Sequence, residues 1–203
     1  MYLNGLCFIT ARKESCITLK EIVTSALRAG VRCIQYREKD KARREIYKEA
    51  LILRKLTNEF GAVFIVNDYT DIALAVNADG VHLGQEDLPL KEARKILGKK
   101  KIIGISTHSA EEAIAAEAGG ADYIGFGPVF HTATKDAGKP KGIATLREIK
   151  KLIKIPVVAI GGINTENFES VIDSGADAVA VSSAIIQGDI EDNVLRFLKI
   201  LAE

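Results

Sequence analysis

Eight short apolar runs alternate along the chain with segments of helical period, and this alternation limits the fold more than any other feature. Most of the runs are continuous rather than alternating, as expected for strands that are covered on both faces. Helical period appears between them, for example in Ile46, Ala50, Leu53 and Leu56. The pattern predicts repeated βα units and a parallel sheet. The strand candidates span residues 6–10, 31–37, 63–67, 80–83, 102–106, 123–127, 157–160 and 178–182.

A weak internal repeat marks the points where helical segments give way to strands. Triplets of Gly, Ala and Asp stand where three strand candidates begin, at residues 78–80, 120–122 and 175–177. Glycine there supplies the left-handed cap that ends a helix. Eight βα units in 203 residues predict one α/β domain over residues 1–203, a (β/α)8 TIM barrel with its active site at the C-terminal ends of the strands. The alternative is an open doubly wound sheet, but no G-x-G-x-x-G motif follows the first strand.

The charge balance argues against two classes of partner. Lys and Arg number 28 and Asp and Glu 27, giving a net charge of +1, so we expect neither nucleic acid nor a membrane surface to bind. No apolar run approaches the roughly 20 residues that span a bilayer, and the amino end lacks the zones of a signal peptide. We therefore expect a cytoplasmic protein. The sequence leaves the oligomeric state open, with a homodimer among the options.

The three cysteines are expected to be buried thiols. Cys7, Cys16 and Cys33 are odd in number and have neither metal-ligand spacing nor a disulfide pattern. Cys7 and Cys33 lie inside predicted strands.

Polar residues follow almost every predicted strand. In a (β/α)8 barrel the carboxyl ends of the strands meet at one mouth, where such enzymes carry out their chemistry. We therefore expect these residues to surround a single site. In strand order they are Gln35, Arg37 and Lys39; Asn67 and Asp68; Gln85, Glu86 and Asp87; Ser106; Thr132, Thr134 and Lys135; Gly161 and Gly162; and Ser182 and Ser183.

The second strand ends in a group suited to a polyanion. Strand alternation puts Gln35, Arg37 and Lys39 on one face. Arg binds phosphate oxygens with two parallel hydrogen bonds and Lys adds a mobile charge, so phosphate or pyrophosphate is the expected ligand. The alternative is a solvated strand end with ordinary surface charges.

Two aspartates after neighbouring strands predict a magnesium site. Asp68 and Asp87 offer the hard oxygen ligands that Mg²⁺ takes together with water and substrate phosphate. Each has a structural alternative, since Asp68 could cap the helix that follows it and Asp87 could be a turn residue. Their joint placement with Arg37, Lys39 and Lys135 favours the metal and pyrophosphate interpretation.

A second anion site is predicted after strands seven and eight. Gly161 and Gly162, followed by a strand end at Ser182 and Ser183, resemble the phosphate cradle of many barrels, in which a short helix begins near Ser183. Two phosphate sites imply two phosphorylated substrates. The long loop over residues 128–142 is an expected active-site flap. Of the histidines, His82 is expected to be a packed, hydrogen-bonded core residue.

Several ordered segments together resemble the thiamine-phosphate synthase family, over nearly the whole chain. A match to any one of them would be weak, but so many in order are specific. They are Gln-Tyr-Arg-Glu-Lys at 35–39, Val-Asn-Asp at 66–68, residues 79–87, Gly-Ile-Ser-Thr-His at 104–108, residues 125–130 and 132–135, Ala-Ile-Gly-Gly-Ile at 159–163 and Gly-Ala-Asp at 175–177.

The resemblance implies a reaction and a role for each matched residue. The family joins 4-amino-2-methyl-5-hydroxymethylpyrimidine diphosphate to a thiazole phosphate, forming thiamine phosphate and pyrophosphate. Pyrophosphate leaves first, and the thiazole nitrogen captures the pyrimidine carbocation. By motif position, the resemblance implies that the pyrimidine diphosphate is bound by Gln35, Tyr36, Arg37, Glu38, Lys39, Asn67, Ser106 and Lys135, of which Arg37, Lys39, Lys135 and Ser106 are catalytic. It implies that Mg²⁺ is bound by Asp68 and Asp87. The thiazole phosphate would be bound by Thr132, Ala133, Thr134, Gly162, Ser182 and Ser183.

The chain departs from the family pattern at a few positions. Ala11 stands where the family carries Asp, and His131 stands where Pro is common. Residues 138–142 resemble the related thiazole tautomerases, which carry a catalytic His where this chain has Pro128 and tend to lose the paired aspartates. Both aspartates are present here, so the synthase is favoured. A tautomerase and a non-catalytic protein that binds phosphorylated metabolites are the alternatives.

Overall fold

The strands close into a barrel in sequence order. The computed structural model describes residues 5–11, 17–132 and 138–202, in which parallel strands pair from β1 to β8 and β8 pairs with β1. The predicted (β/α)8 barrel is thus confirmed. The strands are β1 (Gly5–Ile9), β2 (Cys33–Tyr36), β3 (Val63–Asn67), β4 (Gly80–Leu83), β5 (Ile102–Thr107), β6 (Tyr123–Phe126), β7 (Val157–Ile160) and β8 (Ala178–Val181).

Helices follow the strands and cover the outside of the barrel. In the first helix, Ile22 and Ala26 lie on the buried face, and Thr18 and Glu21 form a capping box at the amino end. None of the described helices is long and apolar enough to cross a membrane. The helices are α1 (Leu19–Arg28), α2 (Arg43–Glu59), α3 (Thr70–Ala75), α4 (Leu90–Leu97), α5 (Ala110–Ala118), α6 (Gly142–Leu152), α7 (Phe168–Asp173), α8 (Ser183–Ile186) and α9 (Ile190–Ala202).

The second strand is shorter than the sequence predicts. β3, β4 and β7 have the predicted bounds, but β2 begins at Cys33 rather than at residue 31. Val31 is buried and its N–H donates to Ala26 O at 3.0 Å. Val31 therefore closes the end of α1 instead of joining the sheet. A buried apolar residue in such a turn has the same sequence signature as the first residue of a strand.

The contacts of the three aspartates explain why each repeated triplet contains Asp. Asp79, Asp122 and Asp177 each accept an N–H from the start of the preceding strand and pair with a cation of the helix before that strand. These contacts tie helix and strand together at the amino ends of the strands, opposite the mouth, where barrels place stabilising residues. The amide donors are Phe64, Ile103 and Val157 at 2.7–2.8 Å, and the cations are Arg54, Arg94 and Lys150 at 2.5–2.6 Å.

The inside of the barrel is filled by a small buried cluster. Cys7 and Cys33 face each other across β1 and β2, with their sulfur atoms 2.8 Å apart. Both are buried and free, which confirms that expectation for these two thiols; Cys16 lies outside the described residues. Tyr123 packs in the same cluster and is almost fully buried.

Candidate active site

A cavity of about 160 Å³ opens at the carboxyl ends of the strands. Residues from all eight strands or the loops that follow them contribute to its lining. Three residues assigned from the sequence, Ala133, Thr134 and Lys135, lie outside the described residues. The assigned residues that the structure brings together here are Gln35, Arg37, Lys39, Asn67, Asp68, Asp87, Ser106, Thr132, Gly162, Ser182 and Ser183.

Two residues assigned by the family motif do not line this cavity, and neither do Gln85 and Glu86 after the fourth strand. Tyr36 points to the outside of the barrel, where its hydroxyl donates to Glu49 Oε2 at 2.7 Å. Glu38 lies with its carboxylate 3.5 Å from Lys41 Nζ. Both follow from strand alternation, which turns residues 36 and 38 away from the face that carries Arg37.

Thr10 fixes the backbone of Arg37 and was missed in the sequence. Its buried Oγ1 accepts the Arg37 N–H at 2.9 Å and lies 3.3 Å from Arg37 O. The Thr10 N–H in turn donates to Gln35 O at 2.9 Å. The guanidinium of Arg37 therefore projects from a fixed strand end. The signal in the sequence is a hydroxyl residue at the end of the first predicted strand, which neighbours the strand that ends in Gln35, Arg37 and Lys39.

Asp68 and Asp87 lie with their carboxyl groups in hydrogen-bond contact. Asn67 Nδ2 donates to Asp68 Oδ1 at 2.6 Å, and Lys39 Nζ is 3.3 Å from Asp68 Oδ2. Burial raises the pKa of Asp68, the contact with Asp87 raises it further, and Lys39 opposes both effects. Asp68 therefore lies where burial and a neighbouring carboxyl group both disfavour its charged form.

The backbone around the aspartates leaves their carboxyl groups in the cavity. Asp68 has a φ of 65°, a left-handed conformation that Asp tolerates better than most residues. α3 begins at Thr70 without a side-chain cap, so Asp68 does not serve as its cap. Asp87 combines two roles, because its Oδ2 accepts the Gly84 N–H at 2.6 Å within a turn and its side chain still lines the cavity.

The donor set of this acidic pair suits Mg²⁺ rather than a metal that needs a protein cage. Among the described residues, no group of three or more His, Cys, Asp and Glu side chains could hold a metal. Two neighbouring carboxylates are nevertheless the set that Mg²⁺ uses when water and substrate phosphate supply the remaining ligands. Asp68 and Asp87 therefore fit such an ion.

The opposite side of the cavity has the features of a phosphate cradle. Gly161 and Gly162 have positive φ values of 99° and 65°. A Cβ at Gly162 would lie 2.3 Å from His131 O, so only glycine fits beneath the loop. Ser182 Oγ is buried without a hydrogen-bond partner in the part of the chain that the structure describes. α8 begins at Ser183, as predicted.

His82 is both a core residue and a cavity residue. It is 8% exposed, with Nδ1 2.9 Å from Tyr123 Oη and Nε2 2.9 Å from Ser106 Oγ. The expectation of a packed, hydrogen-bonded histidine is confirmed. Its contact with Ser106 was not foreseen, because the apolar neighbours Val81 and Leu83 suggest only a core position.

Comparison with known proteins adds an independent observation. The family model described as thiamine monophosphate synthase matches residues 6–185. The chain belongs to the thiamine monophosphate synthase family. It is 51% identical over 181 residues to thiamine-phosphate synthase of Methanosarcina barkeri, a match that covers 88% of this chain and 82% of that protein. It is 53% identical over 167 residues to thiamine-phosphate synthase of Moorella thermoacetica, covering 82% of this chain and 80% of that protein.

A solved member of the family shares the whole fold. Thiamine phosphate pyrophosphorylase from Pyrococcus furiosus superposes with a TM-score of 0.91 at 43% identity, covering 98% of this chain and 95% of that one. The family membership and the fold therefore agree, and the cavity at the strand ends lies within the matched residues.

Proposed function

We propose that this protein is a thiamine-phosphate synthase that joins 4-amino-2-methyl-5-hydroxymethylpyrimidine diphosphate to a thiazole phosphate. The observation that carries the proposal is a single cavity with two different anion-binding sides. Arg37, Lys39 and the acidic pair lie on one side, and Gly162 and Ser182 lie on the other. Two phosphorylated substrates that must meet need such an arrangement. The close relatives named thiamine-phosphate synthase support the same activity.

The diphosphate binds on the side of Arg37 and Lys39. Pyrophosphate gains negative charge as it leaves, so cations that contact it stabilise the transition state more than the bound substrate. Arg37, held by Thr10, offers a fixed fork, and Lys39 offers a mobile ammonium. Both side chains thus act mainly on kcat.

Asp68 and Asp87 would hold Mg²⁺ beside the diphosphate. The ion would neutralise charge on the departing pyrophosphate. The contact between the carboxyl groups of Asp68 and Asp87 supports this role, because a divalent cation would favour the charged form of Asp68. Asn67, which donates to Asp68 Oδ1, fixes the orientation of that carboxylate.

The thiazole phosphate binds on the side of Gly162 and Ser182. The Ser182 hydroxyl, which has no hydrogen-bond partner among the described residues, is an available donor, and the glycines let a phosphate approach the backbone. The thiazole nitrogen then faces the pyrimidine and captures the carbocation. An unprotonated aromatic nitrogen needs no general base, which agrees with a cavity built from anion-binding groups.

The test is to mix the purified protein with both substrates and Mg²⁺ and to measure thiamine phosphate and pyrophosphate. Equal amounts of both products are expected, and no product at saturating substrate would contradict the proposal. Turnover of a thiazole carboxylate phosphate without the pyrimidine would favour the tautomerase instead. Ligand binding without turnover would favour a metabolite-binding protein.

The variant Asp68→Asn has a matched control in Asp71→Asn. Asp71 lies nearby on α3, exposed and paired with Arg43, outside the cavity. Asp68→Asn should lower activity by about 100-fold or more, as expected when an electrostatic group of the transition state is lost. Asp71→Asn should leave activity unchanged.

A further inference from the structure

Three polar side chains form a hydrogen-bonded row from the inside of the barrel to the cavity. Tyr123 Oη lies 2.9 Å from His82 Nδ1, and His82 Nε2 lies 2.9 Å from Ser106 Oγ. Tyr123 and His82 are almost fully buried, whereas Ser106 is partly exposed and lines the cavity. Ser106 is the most exposed member of the row, while His82 borders the cavity with little exposed surface and Tyr123 does not line it.

Two glycines make room for the row. A Cβ at Gly104 would lie 2.0 Å from Tyr123 Cζ, and a Cβ at Gly125 would lie 2.9 Å from His82 Cε1. Real Cβ atoms do not approach this closely, so β5 and β6 must lack side chains at these positions. The interior of the barrel is therefore shaped around the two rings. Inward-facing residues of a barrel usually fill it with aliphatic side chains, so the polar row is an exception.

The hydroxyl of Tyr123 decides which tautomer His82 adopts. Among the described residues, His82 Nδ1 is the one hydrogen-bond partner of Tyr123 Oη. Tyr123 is buried in the cluster with Cys7 and Cys33, and burial raises the pKa of its phenol, so the proton stays on the oxygen. If Nδ1 carried a proton, the phenolic proton would be buried without an acceptor, which is costly. Nδ1 must therefore accept, and a neutral imidazole then carries its proton on Nε2.

The tautomer of His82 in turn fixes the direction of the hydrogen bond between His82 and Ser106. An Nε2–H donates to Ser106 Oγ and occupies one of its lone pairs. The Ser106 hydroxyl proton is then left to point away from His82, toward the cavity. With the other tautomer, Ser106 would donate to His82 and could only accept from a substrate.

We propose that His82 and Tyr123 are positioning residues that make Ser106 a hydrogen-bond donor to the pyrimidine diphosphate. The kinetic part of this inference rests on the proposed function; the tautomer does not. The Tyr123 hydroxyl makes Nδ1 of His82 the hydrogen-bond acceptor, so that Nε2 of the same ring donates to Ser106. Ser106 then presents its hydroxyl proton to an acceptor atom of the substrate. A donor whose proton is already aligned costs no reorganisation when charge develops in the transition state.

The tautomer can be measured without substrate. In the full chain labelled with ¹⁵N-histidine, the three histidines give separate ring signals, and loss of one set in His82→Gln assigns His82. The expected pattern is a neutral ring with its proton on Nε2, which changes toward mixed tautomers in Tyr123→Phe. A proton on Nδ1 in the wild type, or an unchanged pattern in Tyr123→Phe, would overturn the inference. This result stands even if the protein makes no thiamine phosphate.

Kinetics then test whether the row acts through Ser106. Tyr123→Phe should lower kcat by about 3- to 10-fold with KM nearly unchanged, the size expected for one hydrogen bond. His82→Leu should lower kcat by about 100-fold, and His82→Gln, whose amide can still donate to Ser106, should recover to within about 10-fold of the wild type. Tyr47→Phe, on the exposed face of α2, is the control and should change nothing.

A double-mutant comparison separates positioning from general damage to the barrel. In a Ser106→Ala background, His82→Leu should lower kcat by less than about 2-fold further, because the group on which it acts is gone. If His82→Leu lowered kcat in the Ser106→Ala background by the same factor as in the wild type, the proposal would be contradicted. Circular dichroism and thermal unfolding report whether each variant folds. If His82→Leu does not fold, His82→Gln and Tyr123→Phe in both backgrounds decide the question.

Discussion

Replacing Asp87 by Asn should stabilise the protein without metal while removing its response to Mg²⁺. In the wild type the carboxyl groups of Asp68 and Asp87 are in contact. Two like unit charges in contact repel by roughly 4 kcal/mol at an effective dielectric constant of about 20, before solvent screening lowers that figure. Lys39, 3.3 Å from Asp68 but nearly half exposed, offsets about 1 kcal/mol at most. An Asn at position 87 could still accept the Gly84 N–H and could donate to Asp68.

Part of this repulsion is relieved because the raised pKa of Asp68 favours its protonated form. We therefore expect Asp87→Asn to raise the free energy of unfolding by about 1–2 kcal/mol, which corresponds to roughly 2–8 °C in Tm for a chain of this size. The assay is thermal unfolding at pH 7 with and without Mg²⁺. The wild type should gain stability with Mg²⁺ and Asp87→Asn should not. A destabilised variant, or one that keeps the Mg²⁺ response, would contradict this prediction.

The pH dependence of this effect has a definite sign. Burial and the contact with Asp87 raise the pKa of Asp68 in the folded protein above its ordinary value of 3.8. The folded protein then binds more protons than the unfolded chain, so its free energy of unfolding falls as the pH rises through that range. The advantage of Asp87→Asn should be full above the raised pKa of Asp68, shrink as the pH falls through that pKa, and be lost below the ordinary value of 3.8. A constant advantage at all pH values would point to packing instead.

Three further variants test the two sides of the cavity. Arg37→Ala should lower kcat by about 100-fold or more if the fork stabilises the leaving group; a raised KM with unchanged kcat would reject that role. Ser182→Ala should leave thermal stability unchanged or slightly higher, because it removes a buried hydroxyl that has no hydrogen-bond partner in residues 5–11, 17–132 and 138–202. It should nevertheless weaken binding of the thiazole phosphate by about 10-fold; unchanged binding, measured by calorimetry, would argue against the cradle. Gly162→Ala should lower Tm and raise KM for the same substrate, since its Cβ would lie 2.3 Å from His131 O; a Tm equal to that of the wild type would contradict the geometry.

The sequence predicts the barrel well because its signals are local and repeated. Each strand is a short apolar run before a polar end, so Asp68 and Asp87 could be placed at one mouth without knowing any contact between them. Alternation also explains which of residues 35–39 face the cavity. The match to the family motif adds Tyr36 and Glu38 to the expected site residues, whereas strand alternation alone predicts that both side chains point away from the cavity.

The features that the sequence did not predict depend on contacts across the barrel. The tautomer of His82 follows from Tyr123 on β6 and from the space left by Gly104 and Gly125, all distant along the chain. The partners of Asp79, Asp122 and Asp177 likewise lie on other elements. Thr10 looks like the last residue of a strand until its hydrogen bonds to Arg37 are seen. A single sequence gives the type and order of elements, whereas these contacts arise only when the barrel closes.

The most direct test of the account is a crystal structure with pyrophosphate and Mg²⁺ bound. We expect one Mg²⁺ with oxygen ligands from Asp68 and Asp87, and pyrophosphate in contact with Arg37 and Lys39. Pyrophosphate bound only at Gly162 and Ser182, with no metal at the acidic pair, would contradict the assignment of the two sides of the cavity.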